Sequence, residues 1–433
     1  MGQGLIIAAP GSGCGKTTVT LGLLRLLARA GIDVRAAKSG PDYIDPKFHE
    51  AACGAPCVNL DAWSMGADRI GSLAAGDGLL VIEGAMGLFD GAPPHGKGAV
   101  ADLARILDLP VILVVDASKQ AGSVAALVAG FAGFDRAVRV GGVILNKVGR
   151  DRHEAMLRQA LAPLNIPVLA VMRRNDTIAL PSRHLGLVQA GECAELETVL
   201  ERAADALEAT LGRDVLERMA RPLPHPRTVA GLPPPAQVIA VAKDAAFGFH
   251  YPHMLQDWRS AGAEIRFFSP LANDAVPEAG FVFLPGGYPE LHAGQLAAAH
   301  RFFDSLRFAS QHADIYGECG GYMTLGDGLT DAQGVRHAMA GLLRLETSFE
   351  TRHLHLGYRQ LTAMAGPFTG RFGGHEFHYA STVSAKGTPL FAAHDAEGTA
   401  LPDMGLSDRR VYGSFAHIID AAPQPLVVAR QED

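Results

Sequence analysis

Short runs of consecutive apolar residues recur along the first half of the chain, at 5–8, 34–37, 79–82, 111–115, 143–145 and 168–171, and helical spacing separates most of them. Strands apolar at every position are buried on both faces. Their alternation with helices predicts an α/β fold with a P-loop-type doubly wound parallel sheet. In such sheets ligands gather beyond the carboxyl ends of the strands, so the polar residues that end each run are the candidates for chemistry. From 192 to 219 the pattern becomes acidic and amphipathic and predicts one long, solvated outer helix. Proline then crowds Arg221-Pro222-Leu223-Pro224-His225-Pro226 and Leu232-Pro233-Pro234-Pro235, a density that neither a helix nor a central strand tolerates. A new strand pattern starts at Val238-Ile239-Ala240-Val241-Ala242. The expected organisation is a first domain at 1–221, a Pro-rich linker at 222–236 and a second α/β domain at 237–433, with no repeat of the first half in the second.

Composition narrows the class. The 433 residues are 48% hydrophobic and 19% charged, with a formal net charge of −7, a soluble globular profile with room for about two or three domains. No basic run supports nucleic-acid binding, and an anionic substrate would need a locally positive pocket. No signal-like N-terminus or membrane-length apolar span is present. Cys14, Cys53, Cys57, Cys193 and Cys319 are scattered, which reads as reduced and cytoplasmic. Cys53 and Cys57 have no second pair to complete a metal site.

The first apolar run leads into Pro10-Gly11-Ser12-Gly13-Cys14-Gly15-Lys16-Thr17-Thr18, and a helical pattern leads out. Strand, Gly-rich loop, Gly-Lys-Thr and helix form the P-loop arrangement. Backbone N–H groups cradle phosphate, the helix N-terminus adds a positive field, Lys16 meets the terminal phosphates, and the Thr17 hydroxyl sits where Mg2+ is held. The strict pattern has glycine where this chain has Pro10; Gly11 and Gly13 supply the flexibility.

Other strand ends add candidates. Lys38-Ser39-Gly40-Pro41-Asp42-Tyr43-Ile44-Asp45-Pro46 is a shaped loop. In it Lys38 is placed to touch phosphate, and Asp42 or Asp45 to hold Mg2+ or position substrate, unless they form a plain Asx turn. Glu83, directly after a buried strand, is where P-loop enzymes place a metal-linked acid, and Asp90 follows in a Gly-flanked loop facing substrate. Asp116 reads equally as a helix cap or a site residue. Asn146-Lys147 resembles base-reading pairs, and Arg183 and His184 are candidates for an anionic substrate.

In the second half, Phe281-Val282-Phe283-Leu284-Pro285-Gly286-Gly287 is a strand broken so that backbone N–H groups are available to an oxyanion. Ile315-Tyr316-Gly317-Glu318-Cys319-Gly320-Gly321 follows the logic of a nucleophile elbow, in which a helix N-terminus favours thiolate over thiol. Among eight candidate histidines, His417 lies late in the chain after a strand-like run. His353-Leu354-His355 and His375-Glu376-Phe377-His378 lack helical ligand spacing and read as structural or substrate-facing.

Taken together and in this order, the P-loop, 38–45, 83–91, 180–187, 284–290 and 317–322 resemble the cobyrinic acid/hydrogenobyrinic acid a,c-diamide synthases of cobalamin biosynthesis, over essentially the whole chain. The resemblance implies a dethiobiotin-synthetase-like ATP domain joined to a class I glutamine amidotransferase domain. It implies that Cys319 attacks glutamine with His417 as base and Gly286 and Gly287 as oxyanion hole. It implies further that ATP and Mg2+, held by residues 11–18 with Thr17 and Glu83 on the metal, phosphorylate the a- and c-acetates of the corrin. Asp42, Tyr43, Ile44 and Asp90 would line the carboxylate site. Many class I glutaminases carry glutamate two residues after the histidine; here Ile419 stands there, so the group that orients His417 is open, with Glu376 or a backbone carbonyl as candidates. The expected enzyme is a carbon–nitrogen ligase whose partners are a corrinoid, glutamine and ATP, with a homodimer as the expected assembly. Alternatives are cobyric acid synthase-type amidation of the remaining side chains, a partitioning-type ATPase switch, and a plain cysteine hydrolase.

Overall fold

In the computed structural model, residues 2–178, 182–183, 186–225 and 229–423 are described. The six apolar runs become strands of one sheet: β1 (Gln3–Ala8), β2 (Val34–Ser39), β4 (Leu79–Glu83), β5 (Val111–Asp116), β6 (Val140–Val148) and β7 (Val168–Arg173). A further strand, β3 (Val58–Leu60), has only three residues, too few to show a pattern. The order is β3-β2-β4-β1-β5-β6-β7, all parallel. The order reverses at β1, so the P-loop, the loop after β2 and the end of β4 converge at the switch point. Helix α1 (Lys16–Arg29) follows the P-loop, and α2 (Asp45–Cys53) follows β2.

The single outer helix expected over 192–219 is instead two helices, Leu196–Glu208 and Arg213–Met219, interrupted near Gly212. The first is not merely solvated. Leu200, Ala204 and Leu207 are buried, and a Cβ added at Gly22 of α1 would lie 2.7 Å from the carbonyl oxygen of Ala203. Its acidic side faces α1: Arg29 pairs with Glu201, Asp205 and Glu208. Its charge is thus partly the complement of the α1 arginines. Beyond it, Arg221–Pro222 pairs antiparallel with Gln3 and Gly4, so the proline-rich segment is docked at its start on the first sheet.

The second half centres on parallel strands Glu264–Phe268, Val238–Ala242, Phe281–Leu284, Asp314–Glu318 and Val411–Ser414, with Leu406–Asp408 antiparallel at the edge. From Val411–Ser414 the chain crosses directly into His417–Ala421, the edge of a five-stranded antiparallel sheet, where it pairs with Arg371–His378. His417 therefore stands where one sheet hands over to another.

The halves are tightly joined. Tyr251 and Trp258 belong to the same apolar core as β1 and β4. Arg69 Nε donates to Asp420 Oδ2 at 2.7 Å and its guanidinium also pairs with Asp257. The Tyr358 hydroxyl donates to Asp61 at 2.9 Å, and Tyr251 donates to the carbonyl of Pro41 at 3.3 Å. No helix among the described residues is long and apolar enough to cross a membrane.

Candidate active site

The P-loop turns on glycines in the left-handed region, Gly13 at φ 79° and Gly15 at φ 87°. A side chain at Gly15 would also collide with Asn146, whose Nδ2 would lie 2.2 Å from the added Cβ. Asn146 donates to the carbonyl of Cys14 at 2.9 Å while its Oδ1 takes the N–H of Lys147. Lys147 bridges the Gly13 carbonyl, at 3.1 Å, and Asp116, at 2.7 Å. The pair expected to read a base thus braces the phosphate loop, and Asp116 anchors that brace. Lys16 donates to the carbonyl of Gly11 at 3.2 Å. Gly11, Ser12 and Thr18 complete the same turn and first helical residues.

Beneath the loop lies a buried charge cluster. The Thr17 hydroxyl donates to Glu83 Oε1 at 2.7 Å. Lys38 Nζ reaches Asp45 at 2.6 Å and Glu83 at 2.9 Å. His49, four residues after Asp45 on α2, sits 2.5 Å from Glu83 Oε2, and Cys57 lies 3.5 Å from its other ring nitrogen. His49 was not anticipated, although its i, i+4 spacing to Asp45 was legible. Burial raises the pKa of Glu83, but Lys38 and His49 outweigh it and hold the carboxyl ionised, below the usual range. Burial alone lowers that of Lys38, yet Asp45 and Glu83 reverse the sign and keep it charged. Asp45 itself, buried beside Asp42, is pushed up to about 6. Lys38 is engaged by these carboxylates rather than standing free for phosphate. The hard oxygens of Thr17, Glu83 and Asp45 beneath the phosphate cradle are a donor set that suits Mg2+.

Asp42 Oδ1 accepts the N–H groups of Ile44, at 2.8 Å, and Asp45, at 3.0 Å, the Asx turn that was the alternative reading; it heads α2. Asp90 accepts the N–H of Gly87 at 2.9 Å. It is exposed on a cavity of about 580 Å3 between the halves, bordered by Gly40 and Pro41 on one side and by Tyr358, Arg359 and His375 on the other. Tyr43 and Ile44 border a different cavity. The Tyr43 ring lies 4.3 Å from that of His417 and stacks on Phe249 at 5.5 Å. The backbone of Arg183 pairs with Gly186 in a small hairpin; its side chain, and residues 180, 181, 184 and 185, lie outside the described part.

The second site gathers three distant segments. Cys319 sits at φ 46°, ψ −102° between strand Asp314–Glu318 and helix Gly320–Leu325, the strained turn expected of a nucleophile elbow. Its N–H donates to the Ser414 carbonyl at 2.8 Å. A Cβ on Gly286 would lie 2.7 Å from His417 Nε2 and 3.3 Å from Cys319 Cβ, so residue 286 must be glycine and the cysteine and histidine meet over it. The N–H nitrogen of Gly287 stands 3.0 Å from where a Cβ of Gly320 would be, close beside the nucleophile. The expectation of a thiolate is reversed: burial, with Glu290 adding to it, pushes the Cys319 thiol well up. A six-residue helix offers too little field to oppose desolvation, so the thiol keeps its proton until a base removes it.

Glu376 does not orient His417. It is held by Arg359 at 2.8 Å and by His378 at 3.0 Å. The carboxylate that faces His417 Nδ1 is Glu318, at 3.4 Å, fixed by accepting the N–H of Ile418 at 2.9 Å. Glu318 directly precedes the nucleophile, a position that sequence spacing does not connect with a histidine 99 residues later. His355, Glu376 and His378 bring ligand atoms within 4.8 Å of one another. However, His355 and His378 stack with an interplanar angle of 12° and Arg359 already occupies Glu376. A metal lies in the plane of each imidazole that binds it, and stacked rings share no such point.

Comparison with known proteins fits this pairing of sites. Residues 5–188 match the CobQ/CobB/MinD/ParA nucleotide binding domain, and residues 238–424 the CobB/CobQ-like glutamine amidotransferase domain. The chain is 53% identical over 430 residues to the hydrogenobyrinate a,c-diamide synthase of Brucella anthropi, covering 96% of this chain and 98% of that one. It is 52% identical over 434 residues to the Sinorhizobium sp protein of the same name, covering 97% and 99%. The Rhodobacter capsulatus protein of that name is 50% identical over 429 residues, covering 96% and 98%.

Proposed function

This chain belongs to the hydrogenobyrinate a,c-diamide synthase family, and from that premise we propose how its two sites divide the work of glutamine-dependent amidation in cobalamin biosynthesis. The enzyme is a carbon–nitrogen ligase. Its substrate is hydrogenobyrinic or cobyrinic acid, amidated at the a- and c-acetates. The observation that carries this reading is that the half bearing the phosphate cradle and the half bearing the Cys–His pair meet at one cavity, lined by Asp90 from the first and His375 from the second.

In the glutaminase half, His417 takes the Cys319 proton as the sulfur attacks the glutamine amide, and Glu318 steadies the imidazolium that forms. Gly286 and Gly287 receive the oxyanion. The proton passes to the leaving nitrogen, so Cys–SH and the amide give a thioester and NH3. Water then releases glutamate and restores the thiol.

In the synthetase half, a carboxylate is a poor acyl donor because its leaving group is oxide. Phosphorylation supplies a better one. Lys16 and the backbone of 11–15 hold the ATP phosphates, and Thr17, Glu83 and Asp45 would hold Mg2+, which supplies charge neutralisation when bound. Asp90, with the loop of Asp42, positions the acetate. Ammonia displaces phosphate from the acyl phosphate, giving the amide, inorganic phosphate and a proton. Reduced cysteines and the biosynthetic role support a cytoplasmic enzyme; a homodimer is retained as the expected assembly.

The test is incubation with glutamine, ATP and Mg2+ against hydrogenobyrinic and cobyrinic acids separately, read by product mass. Two amidations support the a,c reading, four indicate the cobyric acid synthase type, and none with either acid overturns it.

A further inference from the structure

We propose that His375 is the positioning residue that receives ammonia released at Cys319 and presents it to the cavity bearing Asp90. The assignment rests on the division of labour proposed above. Three observations support it.

His375 lies directly opposite His417 in the antiparallel pair of Arg371–His378 with His417–Ala421. It lies directly opposite Tyr358 on its other side. Residues so paired have Cβ atoms about 4.5–5.5 Å apart, so one side chain spans the short path between the glutaminase base and the cavity wall. His375 also borders the cavity of about 580 Å3 that holds Asp90, although it is only 8% exposed. Finally, its Nδ1 is buried and has no hydrogen-bond partner. A buried polar atom without a partner is costly, and ammonia, which both donates and accepts, is a partner of the right size.

The chemistry of the passage favours such a residue. Ammonia is a nucleophile only while unprotonated, so the groups it meets must not be acids. Burial, with His417 and Arg359 adding to it, pushes His375 down to about 3. A neutral imidazole offers one N–H to the ammonia lone pair and one acceptor nitrogen to an ammonia N–H, and gives up no proton. His417, across the strand pair, returns the proton it took from Cys319 to the leaving nitrogen, so the molecule that reaches His375 is NH3.

The test uses the full-length enzyme with hydrogenobyrinic acid, ATP and Mg2+, supplied with either glutamine or ammonium chloride. Glutamate released per amide formed is compared among wild type, His375→Phe, which keeps a ring but removes both nitrogens, and His375→Asn, which keeps a polar group near Nδ1. The expected result is a glutamate-to-amide ratio raised at least about threefold in the Phe variant, with the Asn variant near the wild-type ratio. A purely structural role for His375 would slow glutamine hydrolysis and leave the ratio alone. An unchanged ratio in His375→Phe overturns the assignment, as does equal impairment of the Phe and Asn variants. If the Phe variant loses ammonium-driven amidation as well, His375→Leu is judged by the same ratio. A wild-type enzyme that forms no amide from either nitrogen source overturns the amidation reading itself, and this assignment with it.

Discussion

Around the P-loop the charged side chains are paired: Lys38 spans Asp45 and Glu83, and His49 closes on the other oxygen of Glu83. Around Cys319 the polar atoms stand apart. Both ring nitrogens of His417 and Nδ1 of His375 are buried without a hydrogen bond, and burial pushes the Cys319 thiol up. The first site is organised to manage charge, and its ions hold one another in place while a polyanion is bound. The second is organised to manage neutral species, an amide and then ammonia, with the Glu318 carboxylate facing the base at 3.4 Å.

The sharpest way to separate the two is to remove the nucleophile. Cys319→Ala should lower glutamine-driven amidation by more than about 10^3-fold while amidation with ammonium persists. Product formation with each nitrogen donor, measured side by side, decides it; loss of both activities in a folded variant would falsify the separation.

The converse change is Lys16→Ala. It should reduce ADP release and amidation by about 10^2- to 10^3-fold whichever nitrogen donor is used, because it withdraws charge from the phosphates. The glutaminase half should still hydrolyse glutamine, measured as glutamate release. A drop in that basal hydrolysis as large as the drop in amidation would mean that the sites do not act as separable units.

Glu318→Gln probes the second site more gently. A glutamine at this position keeps the shape and loses the charge that faces His417 Nδ1 at 3.4 Å. Glutamine hydrolysis should fall about 10- to 100-fold, less than for a fully hydrogen-bonded buried carboxylate, and ammonium-driven amidation should be unaffected. An activity equal to wild type would return the orienting role to another group.

The two sites also differ in how much of them the sequence displays. The P-loop is contiguous, and its glycines, Lys16 and Thr17 act through backbone geometry and a helix N-terminus that follow directly from local order. Glu83 was legible because a fully apolar strand can end in only one place. His49 was legible only through its i, i+4 spacing to Asp45; its contact with Glu83 exists only once β2 and β4 pair. The Cys319 elbow was legible for the same local reason as the P-loop, but its electrostatics were not: the dipole of a short helix can be read from sequence, and the burial that outweighs it cannot. Glu318 and His375 depend on strand pairings between segments far apart in the chain. Likewise the packing of Leu196–Glu208 on α1, with Gly22 against Ala203, is something an amphipathic pattern taken alone does not reveal.

The smallest expected effect tests the contiguous site at its edge. Asn146 reaches the loop from the end of β6 and makes one hydrogen bond to the Cys14 carbonyl while sitting against Gly15. Truncation in Asn146→Ala removes a net contribution of about 1 kcal/mol to the loop's preorganisation, which corresponds to roughly a fivefold rise in KM for ATP. The maximal rate should change little, because the transferred phosphoryl is handled by Lys16 and the cluster beneath it. A residue that reads the base would behave differently: its loss would erode discrimination between ATP and GTP. Steady-state constants with the two nucleotides therefore separate a brace from a reader. A parallel rise in KM for both identifies the brace; a selective loss of ATP preference reinstates base recognition and places the nucleotide's base beside β6.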